Sequence, residues 1–231
     1  MTILVVAAES YELAGLLRRC RRVERSGLPL RFARTAEIGG HRLVIAAHGP
    51  GPDLAGAAAS IAARKVAPDA VLSTGVCGAL DPSLNVGDVF VAESVTYRGR
   101  IFSSRPAPSA SHHRTGALIS SDRVAATAGE KEALRTAGAA AVDMEAGALA
   151  EAAASWSVPF FCIRAISDRA DENLPLNFND YRDRSGYFSR PRILAAALRE
   201  PVRLLPALIK LRLNCGRAAR TLGEFLAGCR F

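Results

Sequence analysis

The sequence predicts a three-layer α/β domain followed by a helical C-terminal extension. Two observations carry the domain. Short continuous apolar runs recur along residues 1–166, the pattern of strands buried on both faces. Between them lie Ala- and Leu-rich stretches of helical character, and such alternation puts helices on both faces of a sheet. A third observation marks the extension. From Arg182 onward the chain carries ten Arg and Lys210 against Asp183, Glu200 and Glu224, so the whole net charge of +8 lies there. The boundary falls at residues 1–172 for the α/β domain and 173–231 for the basic amphipathic extension, packed on the same domain.

The elements follow in order. Residues 2–8 read as a buried strand, and Tyr11 to Arg22 as a helix with Leu13, Leu16 and Leu17 on one face. Leu43 to Ala47 is a second strand, broken by His48-Gly49-Pro50-Gly51-Pro52. Asp53 to Lys65 is an Ala-rich helix. Ala70 to Ser73 is a strand that ends in a glycine-containing strand-to-loop turn, Thr74-Gly75-Val76-Cys77-Gly78. Val86 to Val95 is another strand. Residues 98–114 lack periodicity and are rich in Ser, Pro and Arg, which predicts a mobile surface loop. Ala117 to Ser120 and Ala139 to Val142 are short strands, and the latter leads into a helix from Met144 to Ser155. Val158 to Ile166 is the last strand, and two or three short helices follow Asn177.

Composition excludes several classes. At 49% apolar and 23% charged residues, the 231-residue chain is a globular protein rather than a disordered one. No basic residue precedes the opening apolar run and Glu9 follows it, so no signal peptide is expected. No run approaches the ~18–20 apolar residues of a spanning helix. Cys20, Cys77, Cys162, Cys215 and Cys229 are odd in number and form no CxxC pair, which points to a reducing cytoplasm and away from a disulfide framework. His48, His112 and His113 have no metal-ligand spacing, so neither a metal nor a cofactor is expected. The excess of basic charge belongs to a tail rather than being spread around a site, which argues against nucleic acid as partner.

Strand ends in α/β sheets are where ligands sit. Four polar sites fall there: Glu12, the Thr74–Gly78 turn, Asp143-Met144-Glu145 and Ser167-Asp168. Each also has a plain structural reading. Glu12 and Glu145 suit first helical turns, the glycines suit a backbone turn, Cys77 suits a packed core and Asp168 suits a cap. The cluster Arg18, Arg19, Arg21, Arg22 and Arg25 reads as a solvated helix end.

Three segments together resemble the nucleoside phosphorylase/nucleosidase superfamily, above all its 5′-methylthioadenosine/S-adenosylhomocysteine nucleosidase branch. They are Ile3 to Leu17, Ser73 to Asp88, and the pair Val142-Asp143-Met144-Glu145-Ala146 with Arg164-Ala165-Ile166-Ser167-Asp168. The resemblance covers roughly residues 1–172. It implies a central mixed sheet of the phosphorylase/hydrolase type and hydrolysis of a purine nucleoside, adenine the first choice, to release free base. It also implies roles. Asp168 protonates purine N7, Glu12 activates water, and Met144 and Glu145 hold the ribose. Thr74, Gly75, Val76, Cys77, Gly78, Val124 and Ser167 form the base pocket. A homodimer in the cytoplasm is implied as well.

The chain departs from that branch at three places. Val124 stands where the branch stacks an aromatic on adenine, Arg98 to Arg114 matches nothing in its middle, and the chain after Asn173 is longer. The tail resembles hopanoid-associated members of the superfamily, which remove adenine from adenosylhopane. Its residues 190–220 interleave leucines with cations. They suit either a peripheral patch on the inner face of the membrane or helices packed on the core or a second subunit. Two other functional classes stay open: phosphorolysis, which needs a cationic phosphate cradle that the acidic Ala8–Glu12 turn does not provide, and a non-catalytic nucleoside-binding protein.

Overall fold

The computed structural model describes residues 1–106, 109 and 111–231. The strands, in chain order, are β1 (Thr2–Ala7), β2 (Arg21–Arg25), β3 (Phe32–Ile38), β4 (His41–Ala47), β5 (Ala70–Ala79), β6 (Val89–Tyr97), β7 (Arg100–Ser103), β8 (Arg114–Ser120), β9 (Ala141–Asp143) and β10 (Phe160–Asp168). The helices are α1 (Ala14–Leu17), α2 (Pro52–Ala63), α3 (Ala128–Thr136), α4 (Ala146–Ser155), α5 (Arg190–Arg199) and α6 (Pro201–Ala227). Single 3₁₀ turns occupy Ser10–Leu13 and Phe178–Tyr181.

The sheet is mixed. Its order is β10-β6-β8-β9-β5-β1-β4-β3-β2, with β7 on β6 and a further pairing of β10 with β5. That last pairing closes β5, β10, β6, β8 and β9 into a ring, and the cavity described below opens at the strand ends of this ring. Helices α2 and α4 cover one face, where Ala55, Ala58, Ala59, Leu149 and Ala153 meet the strands. The other face takes Leu13 and Leu16 together with Ala218, Leu222, Phe225 and Leu226 of α6. Small residues let α1 and α6 approach closely: a Cβ at Gly223 would collide with the Gly15 backbone.

The predicted buried strands are buried as expected, from Ile3 to Ala7 and along all of β10. Five local expectations are corrected. The helix expected over Tyr11–Arg22 is a 3₁₀ turn plus α1. The arginines beyond it form the exposed edge strand β2, with Arg22 Nη1 on Glu37 Oε1 of β3 at 3.1 Å. A helix end rich in like charges repels itself, whereas a charged edge strand resists edge-to-edge pairing. The Thr74–Gly78 turn is instead the second half of β5, bent at Gly75, whose φ is +135°. Part of the loop expected over 98–114 is a hairpin. Arg98 and Gly99 both have positive φ, which suits a two-residue turn between β6 and β7. The remainder of that predicted loop includes residues 107, 108 and 110, which lie outside the described residues. Strands β2 and β3 and helix α3 had no counterpart in the sequence reading. Finally, the tail holds one 27-residue helix, α6, in place of short ones. Pro206 interrupts its hydrogen-bond ladder beside Val202, which is 91% exposed, so water can satisfy the freed carbonyl.

Candidate active site

The ends of β1, β5, β9 and β10 surround a cavity of about 380 Å³. At its inner end a guanidinium organises three carboxylates. Arg164, central in the buried strand β10, is 0% exposed. It donates to the Thr74 carbonyl and Ser73 Oγ, each at 2.7 Å, pairs with Asp143, and lies 3.8 Å from Glu145 Oε2. Burial opposes its charge, but Asp143, Glu145 and Glu12 hold it charged, and its proton is bound more tightly than in water.

Glu12 is buried at the end of its 3₁₀ turn. Its Oε2 accepts from the backbone N–H of Glu9 at 2.7 Å and its Oε1 from that of Val76 at 2.9 Å. Burial pushes its carboxyl above the usual range, while those two bonds and Arg164 pull it back. Gly75 makes this approach possible, since a Cβ there would stand 2.8 Å from both Glu12 Oε1 and Arg164 Nη1. Glu145 is buried at the N-cap position of α4, where Asp143 Oδ2 accepts from the N–H groups of Glu145 and Ala146, and Glu145 Oε1 accepts from the N–H of Gly51 at 2.8 Å. Burial, then the neighbouring Asp143, push its carboxyl up to about 7 against the pull of Arg164.

Asp168 ends β10 over Gly78, where a Cβ would lie 3.1 Å from its Oδ2. Ser167 Oγ lies 2.6 Å from Oδ1 and 3.1 Å from the Cys77 carbonyl. Lys131 of α3, 1% exposed, donates to Oδ2 at 2.5 Å. The buried strand end that carries Asp168 therefore faces an ammonium.

Of the residues singled out from sequence, Glu12, Val76, Cys77, Gly78, Val124, Met144, Glu145, Ser167 and Asp168 line this one cavity. Thr74 and Gly75 do not; they stand behind the wall, Thr74 as an acceptor for Arg164 and Gly75 as the space between Arg164 and Glu12. Val124 is clamped from outside by Asn179, whose amide bonds both its N–H and its C=O at 2.9 Å. Burial holds the Cys77 thiol well above its ordinary value, so it is a neutral packed side chain.

Sequence reasoning missed the opposite end of the cavity. Leu174, Phe178, Phe188, Ile193 and Leu211 form an apolar wall, with Arg123 and Arg190 also lining the cavity. These residues come from irregular segments and from α5 and α6, where no local pattern marks a ligand wall. Arg164 carried a legible signal, a lone cation within an apolar strand that must find buried partners. Lys131 carried none, because its partner lies 37 residues away. Among the described residues no group of three His, Cys, Asp or Glu side chains is placed to hold a metal ion.

The sequence profile of the phosphorylase superfamily matches residues 2–113 and 107–186. The 5′-methylthioadenosine/S-adenosylhomocysteine nucleosidase of Staphylococcus aureus is 28% identical over 182 residues, covering 66% of this chain and 80% of the relative. Among solved structures, S-adenosylhomocysteine nucleosidase from Streptococcus pyogenes, in complex with 5-methylthiotubericidin, superposes with a TM-score of 0.76 at 20% identity, over 99% of this chain and 95% of that one. The Neisseria meningitidis 5′-methylthioadenosine/S-adenosylhomocysteine nucleosidase, in complex with methylthio-immucillin-A, gives 0.75 at 23% identity over 98% and 97%. Futalosine hydrolase of Helicobacter pylori gives 0.71 at 18% over 98% and 95%.

Proposed function

We propose that this chain, which belongs to the phosphorylase superfamily, is a purine nucleoside N-ribosyl hydrolase that releases adenine from nucleosides bearing an apolar 5′ substituent. One observation carries the choice of water over phosphate. The inner end of the cavity gathers Glu12, Asp143 and Glu145 around a single buried guanidinium, which donates to Ser73, Thr74 and Asp143 while its Nε has no partner among the described residues. Such a site repels an anionic nucleophile and favours the positive sugar of an oxocarbenium-like transition state. Glu12, with its proton affinity raised by burial, takes the proton of the attacking water. Glu145 accepts from the ribose hydroxyls with Met144 packed beside it, and Asp168 gives a proton to N7 as the glycosidic bond breaks. The nucleosidases of Staphylococcus aureus and Neisseria meningitidis support the same assignment by likeness. Chromatography of free base from adenine, hypoxanthine and guanine nucleosides with hydroxyl, thioether and long alkyl 5′ groups tests it. Adenine released fastest from the thioether or alkyl compounds is the expected result; release of no base from any of them overturns it.

The apolar wall supports the 5′ preference, and the hopane group of adenosylhopane is the longest substituent in view. The faces of α5 and α6 beyond that wall support peripheral membrane contact through residues 190–220. Leu194, Leu198, Val202, Ile209 and Leu213 are all more than half exposed and stand among Arg190, Arg192, Arg199, Arg203, Lys210 and Arg212. Each such cation is worth ~1 kcal/mol near an anionic surface. No helix of the described residues is long and apolar enough to cross a membrane. Co-sedimentation with phosphatidylserine vesicles at low salt, lost at high salt, is expected; no binding at low salt leaves a hydrolase of small nucleosides. We also propose a cytoplasmic homodimer, checked by sedimentation velocity at micromolar concentration. The free state of all five cysteines supports the reducing compartment.

A further inference from the structure

In helix α3 Leu134 packs partly buried on Leu80, Ala139 and Val142, and Lys131 is its one buried residue. The Lys131 ammonium places its three hydrogens on Asp168 Oδ2 at 2.5 Å, the Arg169 carbonyl at 2.6 Å and the Glu172 carbonyl at 3.0 Å. An ammonium has three donors and no acceptor, so each hydrogen is used and the group is charged. A buried cation is costly unless paired, and here the partner is the proposed proton donor. Ser167, Cys77 and Cys215 are uncharged groups beside Asp168. Ser167 is a hydroxyl, and burial pushes the thiols of Cys77 on β5 and Cys215 on α6 upward, Cys215 to about 11. Beyond β10, Asp171 and Glu172 lie in the field of Lys131, and Glu172 is itself paired with Lys210 of α6 at 2.6 Å.

We infer that Lys131 is a positioning residue for proton donation by Asp168, an inference that rests on the hydrolase reading above. By holding Oδ2 it fixes the carboxyl so that its Oδ1 edge, beside Ser167, serves the base. It also stabilises the carboxylate left behind. In that step the Asp168 O–H bond breaks and N7–H forms, and the electron pair of the glycosidic bond passes to the purine. Water supplies hydroxyl to the sugar and its proton to Glu12, and Lys131 keeps all of its protons throughout. The loop 169–172, pinned through two carbonyls by the same ammonium, cannot carry Asp168 away from this position.

Steady-state kinetics of the full chain in a double-mutant cycle with Asp168→Asn tests this. Hydrogen bonds to charged groups contribute about 1.5–3 kcal/mol, so Lys131→Met is expected to lower kcat about 10- to 100-fold with KM within about threefold. Lys131→Arg restores part of kcat. In the Asp168→Asn background Lys131→Met costs less than about threefold more. A cost of equal size in both backgrounds, or an unchanged kcat, overturns the inference while leaving the hydrolase reading intact. Should Lys131→Met fail to fold, Lys131→Arg carries the test. The bulkier cation displaces Oδ2, so kcat falls in the wild-type background and stays level in the Asp168→Asn background; equal falls overturn it. Absence of base release by the wild-type chain overturns both readings together.

Discussion

At the inner end of the cavity Glu12 and Glu145 are tied to backbone amides of distant segments, and Asp168 to a buried ammonium. At the outer end Phe178, Phe188, Ile193 and Leu211 present carbon surface, with Arg123 and Arg190 also lining the cavity. The inner end has one workable geometry, because moving a buried carboxylate leaves charges and amides unpaired. The outer end can exchange one apolar side chain for another at small cost. On the proposed reading, the α/β domain fixes the chemistry and the extension the choice of 5′ substituent.

Substitutions at the two ends should separate accordingly. The largest effect is expected for Asp168→Asn. Loss of general-acid assistance lowers kcat for base release about 10²- to 10⁴-fold, while inhibitor affinity measured by calorimetry stays within about tenfold. A variant that turns over normally removes Asp168 from the proton step. Glu12→Gln is next, at about 10²-fold in kcat, with a lowered melting temperature, because the amide oxygen accepts only one of the two backbone bonds and the other N–H is left facing a donor. At the outer end Leu211→Glu is expected to raise KM for a 5′-alkylthio nucleoside about tenfold, the equivalent of losing one apolar side-chain contact. KM for adenosine should move less than about threefold. Equal losses on both substrates would show that the two ends are not independent.

The smallest effect expected is on stability, and its sign follows from Glu145. Its carboxyl is raised from the ordinary 4.5 to about 7, so the native chain keeps a proton that the unfolded chain has released. Stability contributed by this group is full below about 4.5 and declines as pH climbs to about 7. Glu145→Gln removes that decline. Its melting temperature should gain on the wild type as pH rises across this window, read by calorimetry at matched ionic strength. A constant difference across the window would show that Arg164 already keeps Glu145 ionised.

The same division explains what the sequence disclosed. Asp168, Glu145 and Ser167 were legible because each ends or follows an apolar run, where a polar residue has no structural reason to recur. Glu12 was placed correctly in the chain but on an expected helix. The 3₁₀ turn that presents it depends on amides of Glu9 and Val76, the latter 64 residues away. The glycines of β5 suggested a turn, since sequence does not distinguish a strand bent around Arg164 from a strand that stops. Lys131 and the apolar wall stayed hidden, because long-range packing alone brings α3, α5 and α6 to the cavity. The tail's two readings divide along α6. Residues Ala218 to Leu226 pack on the sheet, whereas Val202, Ile209 and Leu213 remain on the surface.

The choice of water by a site built of carboxylates is the point on which the proposed chemistry turns. Incubating a 5′-thio adenine nucleoside with the chain in ¹⁸O-labelled water, with and without phosphate, tests it most directly. Equal rates of adenine release under both conditions are predicted, with one ¹⁸O at the anomeric hydroxyl of the freed sugar. Release that requires phosphate and yields unlabelled sugar 1-phosphate would contradict it.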